Sequence, residues 1–247
     1  LGLSELFGIN WGNATATLRW NHLVNEKMFV NTSLVYSDFN YGVDINFADN
    51  ASFGLDQSIN DIYIKSDWTN FINQKSELNF GGQVIYHRFN PGLFAPNNEE
   101  SALIFTEIQI EKRKALESGW YIDHEYKHST RLNFRYGLRL STFSNIGGSE
   151  YTYTKDPDTN EPISALTTRD SFGSSEIYNT YAGLEPRASV SYNLNSTLAI
   201  KGSYNRTFQY VQQATNTASS FPTDQWFSAN KNIKPQPADQ VRSLIHI

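Results

Sequence analysis

The chain of 247 residues has no cysteine, a single methionine and no long hydrophobic run. Without cysteine it forms neither a disulfide nor a thiolate metal site. Without about 18 consecutive apolar residues it has no transmembrane helix. A membrane barrel built from strands stays open at this point, because such strands leave a much weaker signal in a sequence.

A strong excess of positive charge is also missing. Lys and Arg together number 20 and Asp and Glu 25, which gives a net charge of -5, and the basic residues are scattered. The chain therefore lacks the basic stripe that a nucleic-acid-binding protein presents, and we expect no nucleic-acid partner. Residues 1–10 lack a charged segment followed by a long apolar one. We expect no signal peptide, so an exported protein would be present as a mature or partial chain.

The chain is rich in aromatic residues, at 14%, and its clearest pattern is a strict alternation in residues 184–210. Apolar side chains such as Val190 and Ile200 alternate with polar ones such as Ser191 and Lys201. A period of two places successive side chains on opposite faces of a strand. A short polar turn at 193–197 joins the two halves, which predicts a hairpin with one apolar and one polar face.

The same alternation predicts further strands along the chain. They cover residues 14–20, 28–38, 61–68, 78–86, 103–126, 131–142 and 241–247. Residues 111–118 have good helix propensity, but the period of two persists through them and a strand is preferred. The long loops are predicted at residues 41–58, 89–101, 144–183 (with a hairpin of its own) and 211–240.

Breaks between the predicted strands alternate between short and long, which is typical of a bacterial outer-membrane barrel. Each strand that enters a short turn ends with an aromatic residue on its apolar face: Trp20, Trp68, Tyr126 and Tyr192. These four predict an aromatic girdle at one rim, with Tyr36, Tyr86 and Phe208 in the opposite girdle. The alternative is that aromatic residues are simply good strand formers. The prediction is an all-β, antiparallel, up-and-down transmembrane β-barrel.

Several segments resemble the barrel of TonB-dependent outer-membrane receptors. They are GINWGNATATLRWNH, FVNTSLVYSDFNY, YGLRLSTF and, above all, GLEPRASVSYNLNSTLAIKGSYNRTFQY followed by FPTDQW and NIKPQPADQ. The resemblance implies a barrel of about 22 strands with an N-terminal plug and a box that engages TonB. This chain matches no plug and no such box, and it lacks a closing aromatic residue. We therefore expect residues 1–247 to be an internal part of one barrel domain, with about eight or nine strands, the plug and the barrel remainder being absent.

The resemblance also implies a function and partners. The parent protein would be a transporter in the bacterial outer membrane that imports a nutrient, such as a siderophore, glycan or peptide, with energy from the inner membrane. Its partners would be outer-membrane lipid and the TonB complex through the missing N-terminal part, with a surface lipoprotein as a further candidate; no cofactor is implied. Two rival hypotheses are a complete eight-stranded barrel with a structural or adhesive role and a soluble β-sandwich that binds carbohydrate.

Two groups of residues are candidates for contact with a ligand. Five basic residues share the polar faces and would line the lumen, where they would contact the plug or an anionic substrate: Arg131, Arg135, Arg139, Arg187 and Lys201. The alternative is that lumen carboxylates merely pair with them. Three aromatic residues of a long loop would bind a ligand or a lid protein outside the cell: Phe221, Trp226 and Phe227. Packing among the loops is the alternative.

Other patterns do not support a metal site or an enzyme. Residues 156–160 alternate oxygen-bearing side chains, but Glu161 and Thr167 stand where a calcium loop needs Gly and Glu. His124 and His128 are four residues apart on a strand and a turn, where they do not converge. No nucleophile–base constellation is apparent. We further predict that the strand at 14–20 does not pair with the strand at 197–210, which leaves the sheet open.

Overall fold

A computed structural model describes residues 7–46, 51–214 and 225–246 of the chain. These described residues form twelve β-strands and one short helix. The strands are β1 (Phe7–Asn25), β2 (Met28–Asn46), β3 (Ser52–Asn73), β4 (Ser76–Pro96), β5 (Ile108–Gln109), β6 (Arg113–Lys127), β7 (Leu132–Lys155), β8 (Pro162–Asn193), β9 (Ala199–Gln209), β10 (Val211–Ala214), β11 (Gln225–Ser228) and β12 (Gln236–His246); the helix is α1 (Glu99–Ile104). Among the described residues, no helix is long and apolar enough to cross a membrane.

The long strands form one antiparallel sheet in which neighbours in sequence are neighbours in space. The order is β1-β2-β3-β4-β6-β7-β8-β9-β12, with β5 paired to β4, and β10 and β11 form a separate two-stranded sheet. In the described part of the chain β1 does not pair with β9, so the predicted open sheet is confirmed. A closed eight-stranded barrel is excluded, and a β-sandwich is wrong because the long strands all belong to a single sheet.

The strands are longer than the sequence pattern predicted. Residues 41–46 and 52–58 belong to β2 and β3, and residues 89–96 belong to β4, so most of the two loops predicted there is strand. The strands were missed because the alternation changes face along them. On β2, Leu34 and Tyr36 occupy even positions and are 48% and 42% exposed, whereas Tyr41 occupies an odd position and is 3% exposed.

This change of face occurs at one level of the sheet. The pairing of β1 with β2 runs without a shift from Phe7 to Leu23, so no bulge explains it. Phe39 lies opposite Ile59, and Ile59 lies opposite Phe89. Between this row and the short turns, which we call below the row, even positions are apolar and odd positions are polar, as in a barrel strand that crosses a membrane. On the other side, above the row, the odd positions are apolar.

The apolar even positions of β7 run from Leu132 to Leu140, close to the length of ~9–11 residues of a membrane-crossing strand. Beyond them, Phe143 lies at an odd position and is fully buried. The strands therefore comprise a part next to the short turns with the length and alternation expected of a membrane-crossing strand, which we call the membrane-crossing part, and an extension at the other end. We assign the polar odd face to the barrel lumen, because it carries the buried carboxylates Asp123 and Glu185, each with a side chain only 4% exposed.

The single long strand predicted at 103–126 is wrong in its first half. Helix α1 ends at Ile104, β5 follows, and β6 begins only at Arg113. The Asn98 side chain caps α1 by accepting a hydrogen bond of 2.8 Å from the backbone N–H of Ser101. A helix over 111–118 is wrong too, because residues 113–118 pair with β4 as a strand.

The predicted excursion at 144–183 is the continuation of β7 and β8. The two strands pair as far as Lys155 and Pro162, so the hairpin expected inside this segment is their common end. Asp156 starts the turn by accepting the backbone N–H groups of Asp158 and Thr159 at 2.8 and 3.0 Å. The bonds from Thr159 and then Asp158 lower the pKa of the Asp156 carboxyl. The final strand was also placed too late: β12 begins at Gln236 and has 11 residues, whereas 241–247 was predicted.

Candidate functional site: the lumen face

The centre of the lumen face is an ion pair between the buried Asp123 of β6 and the half-exposed Arg187 of β8. Both contacts of the Arg187 guanidinium with the Asp123 carboxylate are 2.5 Å long. Asp123 and Arg187 both lie opposite Gly137 of β7, and the arginine reaches across this glycine. A Cβ atom on residue 137 would collide with the Asp123 carboxylate. The absence of a side chain there is what allows two strands that are not neighbours to form a bidentate pair.

The pair continues towards β3 through a tyrosine. The Arg187 guanidinium lies 5.2 Å from the centre of the Tyr121 ring, within the range of a cation–π contact. The Tyr121 hydroxyl donates a hydrogen bond of 2.7 Å to Asp67. Asp67 also pairs with Lys65 at 2.9 Å. The charges of three strands are thus joined and neutralised in one network, which we call the central network.

A second group of buried polar residues lies one step closer to the strand extensions. Glu185 accepts hydrogen bonds from Ser141 at 2.5 Å and from Arg139 at 3.4 Å. The Ser141 and Tyr210 hydroxyls are 2.7 Å apart. Tyr210 follows β9, so this contact fastens the start of the β9–β12 connection to the wall.

His87 of β4 joins two further carboxylates on the same face. Its Nδ1 atom lies 2.8 Å from Asp61, and its Nε2 atom lies 3.7 Å from Glu117. The His87 ring also stacks on Phe89 at 5.4 Å. The histidine thus stands at the boundary between the polar lumen and the row of buried aromatic residues above it.

The β9–β12 connection folds over this aromatic row. Tyr210 and Ala229 complete a buried cluster with Phe89, Ala115 and Phe143. Strand β11 carries Trp226 into an apolar slot between β2, β3 and β4, and the remaining gap measures only about 10 Å³. The slot is lined by Phe39, Tyr41, Gln57, Ile59, Phe89 and Pro91. Side-chain bonds fix the far end, since Asn145 donates to the Ala229 carbonyl at 2.9 Å and Tyr181 donates to the Asn230 carbonyl at 2.8 Å.

Above the membrane-crossing part, β7 and β8 hold a buried glutamate. Glu150 is 1% exposed and pairs with Arg113 at 3.0 Å. Tyr178 and Asn232 donate to it at 3.1 and 3.2 Å. Burial, followed by the Glu150 charge, raises the pKa of Tyr178 to about 12. The phenol therefore stays protonated and donates to the carboxylate at neutral pH.

The five basic residues predicted to line the lumen differ in their partners and their exposure. Arg187 and Arg139 are bound to Asp123 and Glu185. Arg135 and Lys201 stay on the open surface of the lumen face, where Arg135 has a side chain 55% exposed and lies 4.0 Å from Asp123. Arg131 lies in the exposed turn immediately before β7; its backbone N–H donates to the Ser129 hydroxyl at 3.2 Å, and its carbonyl accepts the Asn193 N–H at 2.8 Å.

The predicted loop aromatics lie partly outside the described residues. Phe221 belongs to a part of the chain that the structure does not describe. Trp226 and Phe227 are both half-buried and belong to β11, where Phe227 pairs with Gln212. The packing interpretation thus accounts for Trp226, which fills the slot, while ligand contact by these residues stays a prediction.

The four predicted girdle residues all lie on the apolar even face. Trp20, Tyr192 and Tyr126 are 57%, 41% and 37% exposed, and Trp68 stacks on Phe80 at 6.0 Å. Their role at a membrane rim stays a prediction. Phe208, expected in the opposite girdle, instead packs against the buried cluster of Phe89 and Phe143, because Gly183 leaves room for its ring.

The acidic half of the wall was not predicted from the sequence. Asp123, Glu185 and Asp67 were not among the candidate residues, because their partners are 46 to 64 residues away and depend on the strand register. One signal was available: Asp123 and Glu185 have the odd positions that the arginines share, each next to a strand that carries an arginine. Arg242 was not a candidate either, although it lies in the strand predicted at 241–247, because its face is set by its pairing with Ser203.

Comparison with solved structures identifies the fold. No family model matches the chain, and no curated protein matches it. The fold is that of part of a receptor barrel, and the resemblance of the sequence to TonB-dependent receptors is confirmed at the level of fold. The chain spans about a third of the length of the structures that it matches.

Three of these structures show the extent of the likeness. BauA, the ferric preacinetobactin receptor of Acinetobacter baumannii, has a TM-score of 0.59 and 12% identity over 96% of this chain and 35% of its own. The hemophore receptor HasR of Serratia marcescens has a TM-score of 0.56 and 14% identity over 83% and 31%. The ferric-catecholate import receptor Fiu of E. coli K12 has a TM-score of 0.55 and 13% identity over 95% and 38%.

Proposed function

We propose that this chain forms part of the barrel wall of a TonB-dependent receptor that imports a nutrient across the bacterial outer membrane. One observation carries the proposal: an open sheet with the fold of the receptor barrels has an apolar face opposite a charged face with buried carboxylates. A soluble protein would have to cover the apolar face, on which Leu18 and Ile64 are 71% and 51% exposed.

The partners follow from the two faces. Outer-membrane lipid covers the even face below the row of Phe39, Ile59 and Phe89, and the girdle residues lie at its edge. The remaining part of the barrel completes the edges at β1 and β12. The TonB complex supplies energy through a part of the protein outside this chain, and a surface lipoprotein is a further candidate partner. The role is transport, with no catalytic residue and no resident cofactor.

The substrate class is best sought among those of the matched receptors. Their names refer to heme, ferric preacinetobactin and ferric catecholates, and a further matched structure, OprC, is a copper transporter. A metal chelate is therefore the first substrate to test, ahead of a glycan or a peptide. Half-buried Trp226 and the buried Glu150 group would lie on the outer side of the lumen, where a substrate enters.

The test is uptake by cells that express the full-length protein. Radiolabelled ferric siderophores, heme and copper are offered to otherwise receptor-deficient cells with and without TonB. We expect accumulation of at least one substrate that stops when TonB is removed. Uptake that continues unchanged without TonB would identify a passive pore and refute the proposal, as would failure of the protein to reach the outer membrane.

A further inference from the structure

We infer that a cleft on the lumen face of β7, β8, β9 and β12 binds a small oxyanion, such as a phosphate or carboxylate group, through Arg135, Lys201 and Arg242. The cleft lies near the short-turn end of the wall and has a volume of about 260 Å³. It is distinct from the slot that holds Trp226. Its existence rests on the register of four strands and requires no assumption about transport.

Two rows of the sheet bring the binding groups together. In one row, Arg135 lies opposite Ser189, Ser189 opposite Ser203, and Ser203 opposite Arg242. Because side chains alternate along a strand, these residues share the lumen face.

The second row lies one step nearer the short turns. Asn133 lies opposite Ser191, and Ser191 lies opposite Lys201. Three cations and a set of hydroxyl and amide groups therefore converge from strands that are far apart in the sequence.

The lining of the cleft contains no carboxylate. It is formed by Asn133, Arg135, Ser189, Val190, Ser191, Lys201, Gly202, Ser203, Arg242, Ser243 and Leu244. Among the described residues, Lys201 and Arg242 take part in no ion pair, since the salt bridges of this region involve other basic side chains. The carboxylate nearest to Arg135 is Asp123 at 4.0 Å, and both oxygens of Asp123 already bind Arg187.

The chemistry of the lining selects an anion that accepts hydrogen bonds. Arg and Lys offer only donors, and hydroxyl groups can rotate to donate. Lys201 and Arg242 lie on neighbouring strands without an ion-pair partner among the described residues, and Arg135 shares its only carboxylate with Arg187. An oxyanion between these cations removes their mutual repulsion while gaining charge-assisted hydrogen bonds. The volume suits a phosphate or a carboxylate-bearing group, because a water molecule occupies about 30 Å³.

The probe is inorganic phosphate added to the full-length protein in detergent, with binding followed by phosphorus NMR line broadening at low ionic strength. The variants are Arg242→Gln and Lys201→Gln. The matched control is Arg169→Gln, which removes the same charge from the extension of β8, where Arg169 lies 3.6 Å from Glu111 and its side chain is 57% exposed. Retained heat-modifiability on gels verifies that each variant is folded.

We expect phosphate to bind the wild type and to bind either cleft variant about tenfold more weakly, the usual effect of losing one charge-assisted hydrogen bond. The control should stay within about twofold of the wild type, because an exposed charge is screened. A folded wild type that binds no phosphate would overturn the inference, since the cleft would then be filled by another part of the protein. Equally weakened phosphate binding in the control would also overturn the inference, because the loss of affinity would then follow from the change in net charge alone.

Discussion

Two parts of the lumen face use the same residue types for opposite purposes. In the central network, Asp123 binds Arg187 bidentately, and the two charges neutralise each other within the wall. In the cleft, Arg135 and Arg242 stand on the same face with no carboxylate in the lining. The face of a strand therefore determines whether a charged side chain points into the lumen. The register with the neighbouring strands determines whether an opposite charge lies close enough to neutralise it.

The largest effect is expected from breaking the central network. Arg187→Ala leaves the Asp123 carboxylate, whose side chain is 4% exposed, without its bidentate partner, and removing the partner of a buried charge costs about 3–5 kcal/mol of unfolding free energy. Urea unfolding of the full-length protein in lipid vesicles measures this loss. Arg169→Ala is the control, because Arg169 and Glu111 form an exposed pair with side chains 57% and 37% accessible. An equal loss in both variants would show that burial does not distinguish the two pairs.

The next effect tests which face meets lipid. Leu138→Arg places a charge on the apolar face of β7, where it should cost about 2–4 kcal/mol near the middle of the bilayer. The control is Thr17→Arg, which adds the same side chain to the lumen face of β1. Arg139→Leu would be a poor control, because it would leave the buried Glu185 without its cation. Equal folding yields for Leu138→Arg and wild type, measured in vesicles, would reverse the assignment of the faces.

A smaller effect is expected at the link between the network and β3. Tyr121→Phe removes the hydroxyl that donates 2.7 Å to Asp67, and a hydrogen bond to a charged group contributes about 1.5 kcal/mol or somewhat more. Lys65 still pairs with Asp67, so the carboxylate keeps one partner. Tyr192→Phe, on the apolar face, should change the unfolding free energy much less. A loss as large as that of Arg187→Ala would mean that Tyr121 supports more than one bond.

Much of the fold could be predicted because the alternation of residues is strong where a strand crosses a membrane. The hairpin of β8 and β9, the short turns and the open sheet all follow from a period of two read on even positions. The strand extensions could not be read in the same way. Beyond Asp38 of β2 the apolar side chains move to odd positions. A pattern that expects apolar residues at even positions therefore misidentifies this part of the strand as a loop.

The candidate site was predictable only in part. The alternation along β7 predicts that Arg135 and Arg139, at odd positions, share one polar face, and in the structure both lie on that face. What they contact depends on pairings such as Gly137 with Asp123 on one side and Arg187 on the other. Such a row brings together three strands, and no local pattern contains it. The folding of Trp226 into the wall depends likewise on where a long connection packs.

The most direct test of the account uses the absence of cysteine, which allows single thiol probes at any position. Leu140→Cys lies on the apolar face and Ser189→Cys on the lumen face, and each would carry a spin label in the full-length protein reconstituted in lipid. We predict that the label at position 140 is relaxed mainly by lipid-soluble oxygen and the label at position 189 mainly by a water-soluble nickel chelate. The reverse pattern, or equal access of the chelate to both labels, would contradict a wall with lipid on one side and a polar lumen on the other.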